Sequence, residues 1–142
     1  FTSSDIAIFS AAVSDFKPKN YYSSKIKRQL KSVVLQSNID VLKNLSKNKK
    51  KQFIVGFALE TNNEIENSFK KLHDKKMDLI VLNSLNDAGA GFGYDTNKVK
   101  IIDSNENIKD FSLMSKRDVA ASIFNEIIIN QISLSGIKKV IK

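Results

Sequence analysis

The sequence predicts an α/β protein built on an open, mainly parallel sheet with helices on both faces. Short, continuous apolar runs indicate strands buried on both faces, as in parallel sheets. Stretches with apolar residues at helical spacing lie between these runs. No internal repeat or low-complexity linker interrupts them, so the 142 residues are expected to lie in one domain.

The first predicted strand is the apolar run Ile6–Val13. Ser14–Ser24 is polar, contains the single proline and two tyrosines, and predicts a loop. A second β-like stretch, Ser32–Gln36, follows a basic segment. Asn38 is predicted to cap a helix over about residues 40–48.

The middle of the chain predicts a strand–helix–strand unit. Phe53–Leu59 is the next apolar strand. Asn63, with Glu66 three residues later, resembles a capping box that opens a helix reaching about Lys76. Asp78–Leu82 predicts another buried strand.

The last part of the chain begins with the turn-rich segment Asp87–Asn97. Lys98–Asp103 alternates enough to predict a more exposed strand. Ser115 and Asp118 are predicted to begin the final helix. The apolar positions predicted for that helix include Val119, Ile123, Ile127 and Ile128.

The composition, 42% hydrophobic and 27% charged, is that of a soluble globular domain. The absence of cysteine excludes a disulfide framework, a thiol nucleophile and a cysteine metal site. No apolar run approaches the roughly 18–20 residues needed to cross a bilayer, and no signal peptide is visible. We therefore expect a cytoplasmic protein without membrane contact.

The chain begins with Phe1, and its first strand starts almost at once. We expect residues 1–142 to be the C-terminal portion of a single domain, with an N-terminal βα part upstream. The net charge of +8 suits anionic partners such as nucleic acid, an acidic membrane or phosphorylated small molecules. A compositional bias towards Lys, Asn and Ile explains the same charge without any partner.

In open α/β sheets, ligands bind at the carboxyl ends of the strands. Asp15 follows the first strand, where it could bind a metal–phosphate group or a ribose hydroxyl. Alternatively, it could simply cap a helix or a turn. Lys25, Lys27 and Arg28 attract an anion, or form a solvated basic loop.

Further along, Phe57 fits one wall of a base pocket or the core. Lys71 and Lys75 lie four residues apart on one helix face. They could bind a phosphate chain, or they could simply form a solvent-exposed face of the helix.

Two familiar signatures are excluded. The glycines of Gly89–Gly93 precede a turn and a strand, whereas a phosphate-cradling glycine motif follows a strand and opens a helix. The lone His73 lies mid-helix without a second histidine or a cysteine, so a metal site or a histidine-based triad is not predicted.

Together, the order and spacing of six segments are informative. The segments are the run from Asp5 to Pro18, Lys25–Arg28, Asn38–Leu42, Gly56–Thr61, Lys71–Asn83 and Gly91–Asn97. This series, which covers essentially the whole chain, resembles the synthetase domain of the bacterial bifunctional phosphopantothenoylcysteine decarboxylase/synthetase.

The resemblance implies a Rossmann-like fold, a homodimer or higher homo-oligomer, and a phosphopantothenate–cysteine ligase of coenzyme A biosynthesis. CTP, with Mg²⁺, activates 4′-phosphopantothenate as an acyl-cytidylate, and L-cysteine then attacks to give the amide and CMP. The flavin, FMN, belongs to a decarboxylase domain that this chain lacks.

The resemblance also assigns roles to residues. Lys25 corresponds to a CTP-binding lysine needed for the second half-reaction. The other implied CTP contacts are Asp15, Ile39, Asp40, Val41, Leu42, Phe57, Lys71 and Lys75. Ala11 and Ala12 match the acyl-intermediate site, and no metal ligand is assigned.

Two departures from the family pattern stand out. The family commonly has Asn-Pro-Asp where this chain has Asn38-Ile39-Asp40, and an upstream phosphate-binding asparagine is missing. The chain alone is therefore expected to form an incomplete, inactive site.

One alternative is a basic nucleic-acid-binding α/β domain. Tyr21 and Tyr22 lie beside the basic segment and favour it, because aromatic and cationic side chains together bind nucleic acid. The absence of a known RNA- or DNA-recognition motif argues against it. Steep loss of RNA binding with rising salt would favour it. Another alternative is a non-catalytic regulatory relative of the synthetase.

Overall fold

A computed structural model describes residues 1–25, 32–84 and 93–134. In chain order, its elements are β1 (Ile6–Phe9), β2 (Phe16–Pro18), β3 (Leu35–Ser37), α1 (Val41–Ser46), β4 (Phe53–Glu60), α2 (Glu64–Asp74), β5 (Leu79–Ser84), β6 (Thr96–Asn97), β7 (Val99–Asp103), β8 (Ile108–Asp110), β9 (Met114–Ser115) and α3 (Lys116–Leu134). Lys27, Arg28 and most of the predicted turn-rich segment lie outside the described ranges.

The central sheet has five strands in the order β1-β4-β5-β7-β8. β1, β4 and β5 are parallel, β7 is antiparallel to β5, and β8 is antiparallel to β7. Four of the five strands therefore run in the same direction, and the predicted open, mainly parallel sheet is confirmed.

Helices cover both faces of this sheet, as predicted. Val119, Ile123 and Ile127 of α3 pack on one face, against a cluster that includes Phe53 and Val55. The other face buries Ile54, Leu72 and Met77, with Leu42 of α1 and Phe69 of α2 packed alongside. Because β4 and β5 are covered on both sides, they read as continuous apolar runs, and both predicted strands are confirmed.

β1 is shorter and more exposed than predicted. It ends at Phe9 rather than Val13, and Ile6 and Ile8 remain 42% and 39% exposed. Their register partners, Phe53 and Val55, pack under α3. Among the described strands β1 lies at the edge of the sheet, where α3 does not cover it, so the prediction of a strand buried on both faces was wrong.

The segment predicted as a loop contains a strand. Phe16–Pro18 pairs with Leu35–Ser37 in a separate two-stranded ribbon whose residues are all exposed. Pro18 is tolerated because it is the last residue of a short strand outside the central sheet. The predicted strand at Ser32–Gln36 is thus found slightly later in the chain.

One predicted helix cap was wrong, and a second, Asn63, was confirmed in position but not as a capping box. Asp40, not Asn38, caps α1, and its carboxylate accepts a hydrogen bond from the Lys43 N–H at 2.9 Å. Asn63 lies at the start of α2 in a left-handed conformation, φ 47°, and its side chain makes no capping hydrogen bond. The Ser115 hydroxyl accepts from the Asp118 N–H, so the predicted start of α3 is confirmed.

β7 and α3 each correct one burial prediction. β7 was expected to be more exposed than the other strands, but Val99, Ile101 and Ile102 are buried because β7 lies between β5 and β8. In α3, Ile128 faces away from the core and is exposed. Within the described part of the chain, no helix is long and apolar enough to span a bilayer.

Candidate functional site

A cavity of ≈ 660 Å³ opens at the carboxyl ends of β1, β4 and β5. Its walls also include the start of α1, one face of α2 and the start of α3. The lining residues are Phe9, Ser10, Ala11, Ala12, Val13, Ser14, Asp15, Asn38, Ile39, Asp40, Val41, Leu42, Phe57, Ala58, Leu59, Lys71, Lys75, Asn83, Asn97 and Lys116. We call this cavity the groove.

Ten of the eleven residues predicted for the site line the groove. They come from separate segments and are Ala11, Ala12, Asp15, Ile39, Asp40, Val41, Leu42, Phe57, Lys71 and Lys75. Lys25 is the exception: it is exposed and does not line the groove. The structure therefore brings together residues that are far apart in sequence, but it does not bring Lys25 to them within this chain.

Asn38 holds the two loops that form one wall. Its backbone N–H donates to the Asp15 carbonyl at 2.7 Å, and its side-chain amide donates to the Ser14 carbonyl at 3.0 Å. These bonds connect the loop after β1 to the segment before α1. Asn38, predicted as a helix cap, instead fixes the relative position of Asp15 and the Ile39–Leu42 segment.

Asp40 and Lys75 form an ion pair at 2.9 Å on the groove wall. Partial burial by itself would raise the pKa of Asp40. The hydrogen bond from the Lys43 N–H and the ammonium of Lys75 outweigh this effect, so the pKa of Asp40 lies below its ordinary value of 3.8. The carboxylate is therefore ionised at neutral pH and holds Lys75 at the groove.

Lys71 is held in the same way by Glu60. Its ammonium donates to the Glu60 carboxylate, whose side chain is only 12% exposed. Asn67 donates to the other oxygen of that carboxylate at 3.2 Å. Glu60 lies at the end of β4 and Lys71 on α2, so this pair anchors a cation of α2 to the carboxyl edge of the sheet.

The groove also exposes apolar surface. Phe57 is 43% exposed although it lies in a central strand, so it is not a core residue. Ile39, Val41 and Leu59 are exposed beside it on the groove wall. Apolar walls with a few charged groups are typical of small-molecule sites, where flat or aliphatic parts of a ligand lie on the apolar surface.

Ten of the twenty lining residues were not predicted for the site, and they include Asn38, Asn83, Asn97 and Lys116. Asn38, Asn83 and Asn97 belong to segments that carry the family resemblance, and this resemblance was a signal for all three. Lys116 directly follows the predicted start of α3, and no sequence feature marked it as part of a site.

No cluster of three or more metal-ligating side chains is found in residues 1–25, 32–84 and 93–134. Asp15 and Asp40 are the carboxylates of the groove. Since Asp40 is already paired with Lys75, Asp15 is the better candidate to contact a cation.

Residues 1–130 match the family described as the DNA/pantothenate metabolism flavoprotein C-terminal domain. A protein from an unknown prokaryotic organism, named cysteine/cysteine sulfinic acid decarboxylase, is 50% identical over 131 residues, covering 90% of this chain and 36% of that protein. The coenzyme A biosynthesis bifunctional protein CoaBC of Bacillus subtilis (strain 168) is 43% identical over 129 residues, covering 89% and 32%.

A solved structure is also similar. The crystal structure of the C-terminal domain of a coenzyme A biosynthesis bifunctional protein CoaBC matches with a TM-score of 0.70 at 34% identity, covering 90% of this chain and 57% of that chain. The chain thus spans about a third of the length of the two relatives named above.

Proposed function

Because this chain belongs to the family of the DNA/pantothenate metabolism flavoprotein C-terminal domain, the C-terminal domain of CoaBC in coenzyme A biosynthesis, we propose that it forms the CTP-binding part of a phosphopantothenate–cysteine ligase. One observation carries the proposal: ten residues that the family resemblance assigns to this site line a single groove. The enzyme acts as a cytoplasmic homodimer or higher homo-oligomer.

The proposed reaction has two steps. The carboxylate of 4′-phosphopantothenate attacks the α-phosphorus of CTP, which forms the acyl-cytidylate and releases pyrophosphate. The amino group of L-cysteine then attacks the acyl carbon, loses a proton and displaces CMP. Both steps build negative charge on phosphate oxygens, which fixed cations stabilise.

Lys71 and Lys75 are the cations we assign to the triphosphate. Both already have a carboxylate partner, Glu60 and Asp40 respectively. These partners restrict the lysine side chains before the nucleotide binds, so less conformational entropy is lost on binding. The phosphates then share or replace the carboxylates as partners of the two ammonium groups.

The remaining contacts follow from the shape of the groove. Phe57 and the Ile39–Leu42 segment provide the apolar walls on which the cytosine lies. Ala11 and Ala12 lack bulky side chains, so the acyl group can approach the backbone after β1. Asp15, at the end of the same loop, contacts the ribose or the metal.

The donor set of the groove fits a Mg²⁺ that arrives with the nucleotide, because this ion is often bound by one or two carboxylates plus substrate phosphates. Asp15 is the residue that would hold it. When bound, the ion neutralises charge on the phosphates.

The relative named for cysteine decarboxylation suggests a second candidate activity. It would also use cysteine, but it would release carbon dioxide and would require no nucleotide. An assay of the full-length protein with cysteine alone, measuring carbon dioxide, separates this activity from CTP-dependent amide formation.

The proposal can be tested with the variant Lys71→Gln in the full-length protein. The variant should bind CTP at least about tenfold more weakly in a calorimetric titration, because a charge-assisted phosphate contact is lost. CTP should also bind more tightly than ATP. Lys70→Gln is the matched control, since Lys70 is an exposed neighbour outside the groove. Equal CTP affinity in both variants would contradict the assignment of Lys71.

A further inference from the structure

One wall of the groove has no role in the assignments above. It is formed by Asn83, Asn97 and Lys116. The strand registers place these residues next to one another: Asn83 pairs with Val99 in the sheet, and Asn97 pairs with Met114, two residues before Lys116. Lys116 is the first residue of α3, so this wall lies opposite α2 across the edge of the sheet.

Lys116 differs from the two lysines of α2. Lys71 and Lys75 each engage a carboxylate. Lys116 has no ion pair with any residue in the described ranges, although it lines the same groove. An anion can therefore bind to the Lys116 ammonium without displacing an ion-pair partner among the described residues.

The position of Lys116 is unfavourable for the helix that carries it. The N-terminus of a helix has a partial positive charge, which disfavours a cation in the first turn. Arg117 occupies that turn as well, but it does not line the groove. The two residues thus have similar effects on the helix and differ in their access to the groove.

Asn83 gives this wall a buried hydrogen-bond acceptor that a ligand could satisfy. Its Oδ1 atom is buried and has no hydrogen-bond partner among the described residues. A buried acceptor of this kind is stabilised by a ligand N–H or O–H. The amide N–H and hydroxyl of a hydroxy-acid amide are such donors, on a molecule that also carries anionic groups. The triphosphate chain of CTP has no donor at neutral pH, so the nucleotide could serve Asn83 only through its ribose hydroxyls or its cytosine amino group.

We propose that Lys116 binds an anionic group of the acid substrate, 4′-phosphopantothenate, rather than the CTP triphosphate. This inference rests on the proposed function. Two anions that bind side by side repel each other, so each needs its own cation. Lys71 and Lys75 serve the nucleotide from α2, and Lys116 serves the acid from α3 on the opposite face of the sheet.

The test compares Lys116→Gln with Arg117→Gln in the full-length protein. We expect Lys116→Gln to weaken binding of 4′-phosphopantothenate about tenfold in a calorimetric titration and to raise its KM similarly. CTP affinity should change less than about twofold. Arg117→Gln should change neither, and Lys116→Arg, which keeps the charge, should retain most of the affinity.

Repeating the titration with pantothenate, which lacks the phosphate, identifies the group that Lys116 contacts. If wild type and Lys116→Gln bind pantothenate with equal affinity, Lys116 contacts the phosphate of the acid substrate. If Lys116→Gln still binds pantothenate more weakly than wild type does, Lys116 contacts the carboxylate. The proposal is overturned if Lys116→Gln behaves like Arg117→Gln, if it weakens CTP instead, or if the wild type binds no 4′-phosphopantothenate. Failure of CTP binding in the wild type would instead overturn the proposed function.

Discussion

Asp40 illustrates how one side chain serves both the fold and the groove. One carboxylate oxygen caps α1 through the Lys43 N–H, and the other pairs with Lys75. The sequence suggested a cap in this region but placed it at Asn38. Both asparagine and aspartate are good caps; tertiary contacts with Ser14 and Asp15 engage Asn38, so Asp40 takes that position.

The pKa of Asp40 leads to a prediction about pH. Because the folded pKa is lowered, the contribution of Asp40 to stability is fully present above the ordinary value of 3.8 and is lost as pH falls through the lower folded value. An NMR titration of the Asp40 carboxyl carbon should give a midpoint below 3.8. Lys75→Gln should move that midpoint upward, whereas Lys70→Gln should not. A wild-type midpoint at or above 3.8 would contradict the ion pair.

At the scale of elements, the groove depends on how closely α1 approaches β4. Gly56 lies in the middle of β4, where an added Cβ would overlap the Met77 sulfur and come within 3.2 Å of Leu42. Leu42 lies on α1 beside the groove-lining residues Ile39 and Val41. The absence of a side chain at Gly56 thus lets Met77 and Leu42, a groove-lining residue of α1, pack closely against β4.

Gly56→Ala should therefore destabilise the protein by about 1–3 kcal/mol, the usual cost of overpacking a core. Thermal or denaturant unfolding measures this change. The double variant Gly56→Ala/Met77→Ala should be less destabilised than the sum of the two single variants, because the second change removes the overlapping atom. Strict additivity would show that Met77 does not limit the space at Gly56.

At the scale of the whole molecule, the sheet and its helices bring segments that are distant in sequence to one edge. Parallel strands all end on the same side, so the carboxyl ends of β1, β4 and β5 meet there. α2 adds Lys71 and Lys75 from one face, and α3 adds Lys116 from the other. Lys25 follows β2 in the chain, is exposed, and does not line the groove of its own chain.

Lys25→Gln in the full-length protein should nevertheless strongly reduce amide formation, as the family resemblance implies. A steady-state assay with CTP, 4′-phosphopantothenate and L-cysteine measures the rate, and Lys47→Gln, an exposed lysine outside the groove, is the control. Product formation at the wild-type rate would show that Lys25 has no role in the reaction. Reduced activity would show that Lys25 acts in the assembled enzyme.

The sequence by itself determined the α/β class, the two central strands and most of the segments that form the groove. Apolar runs and the spacing of segments are properties of the sequence itself. They can be recognised without knowing which elements pack against one another. Tertiary structure alone decided that Asp40 rather than Asn38 caps α1, that β7 is buried, that Lys71 and Lys75 are paired with acids, and that Lys116 faces the groove. Each of these outcomes depends on residues distant in sequence, because burial and charge pairing are settled by which elements pack together.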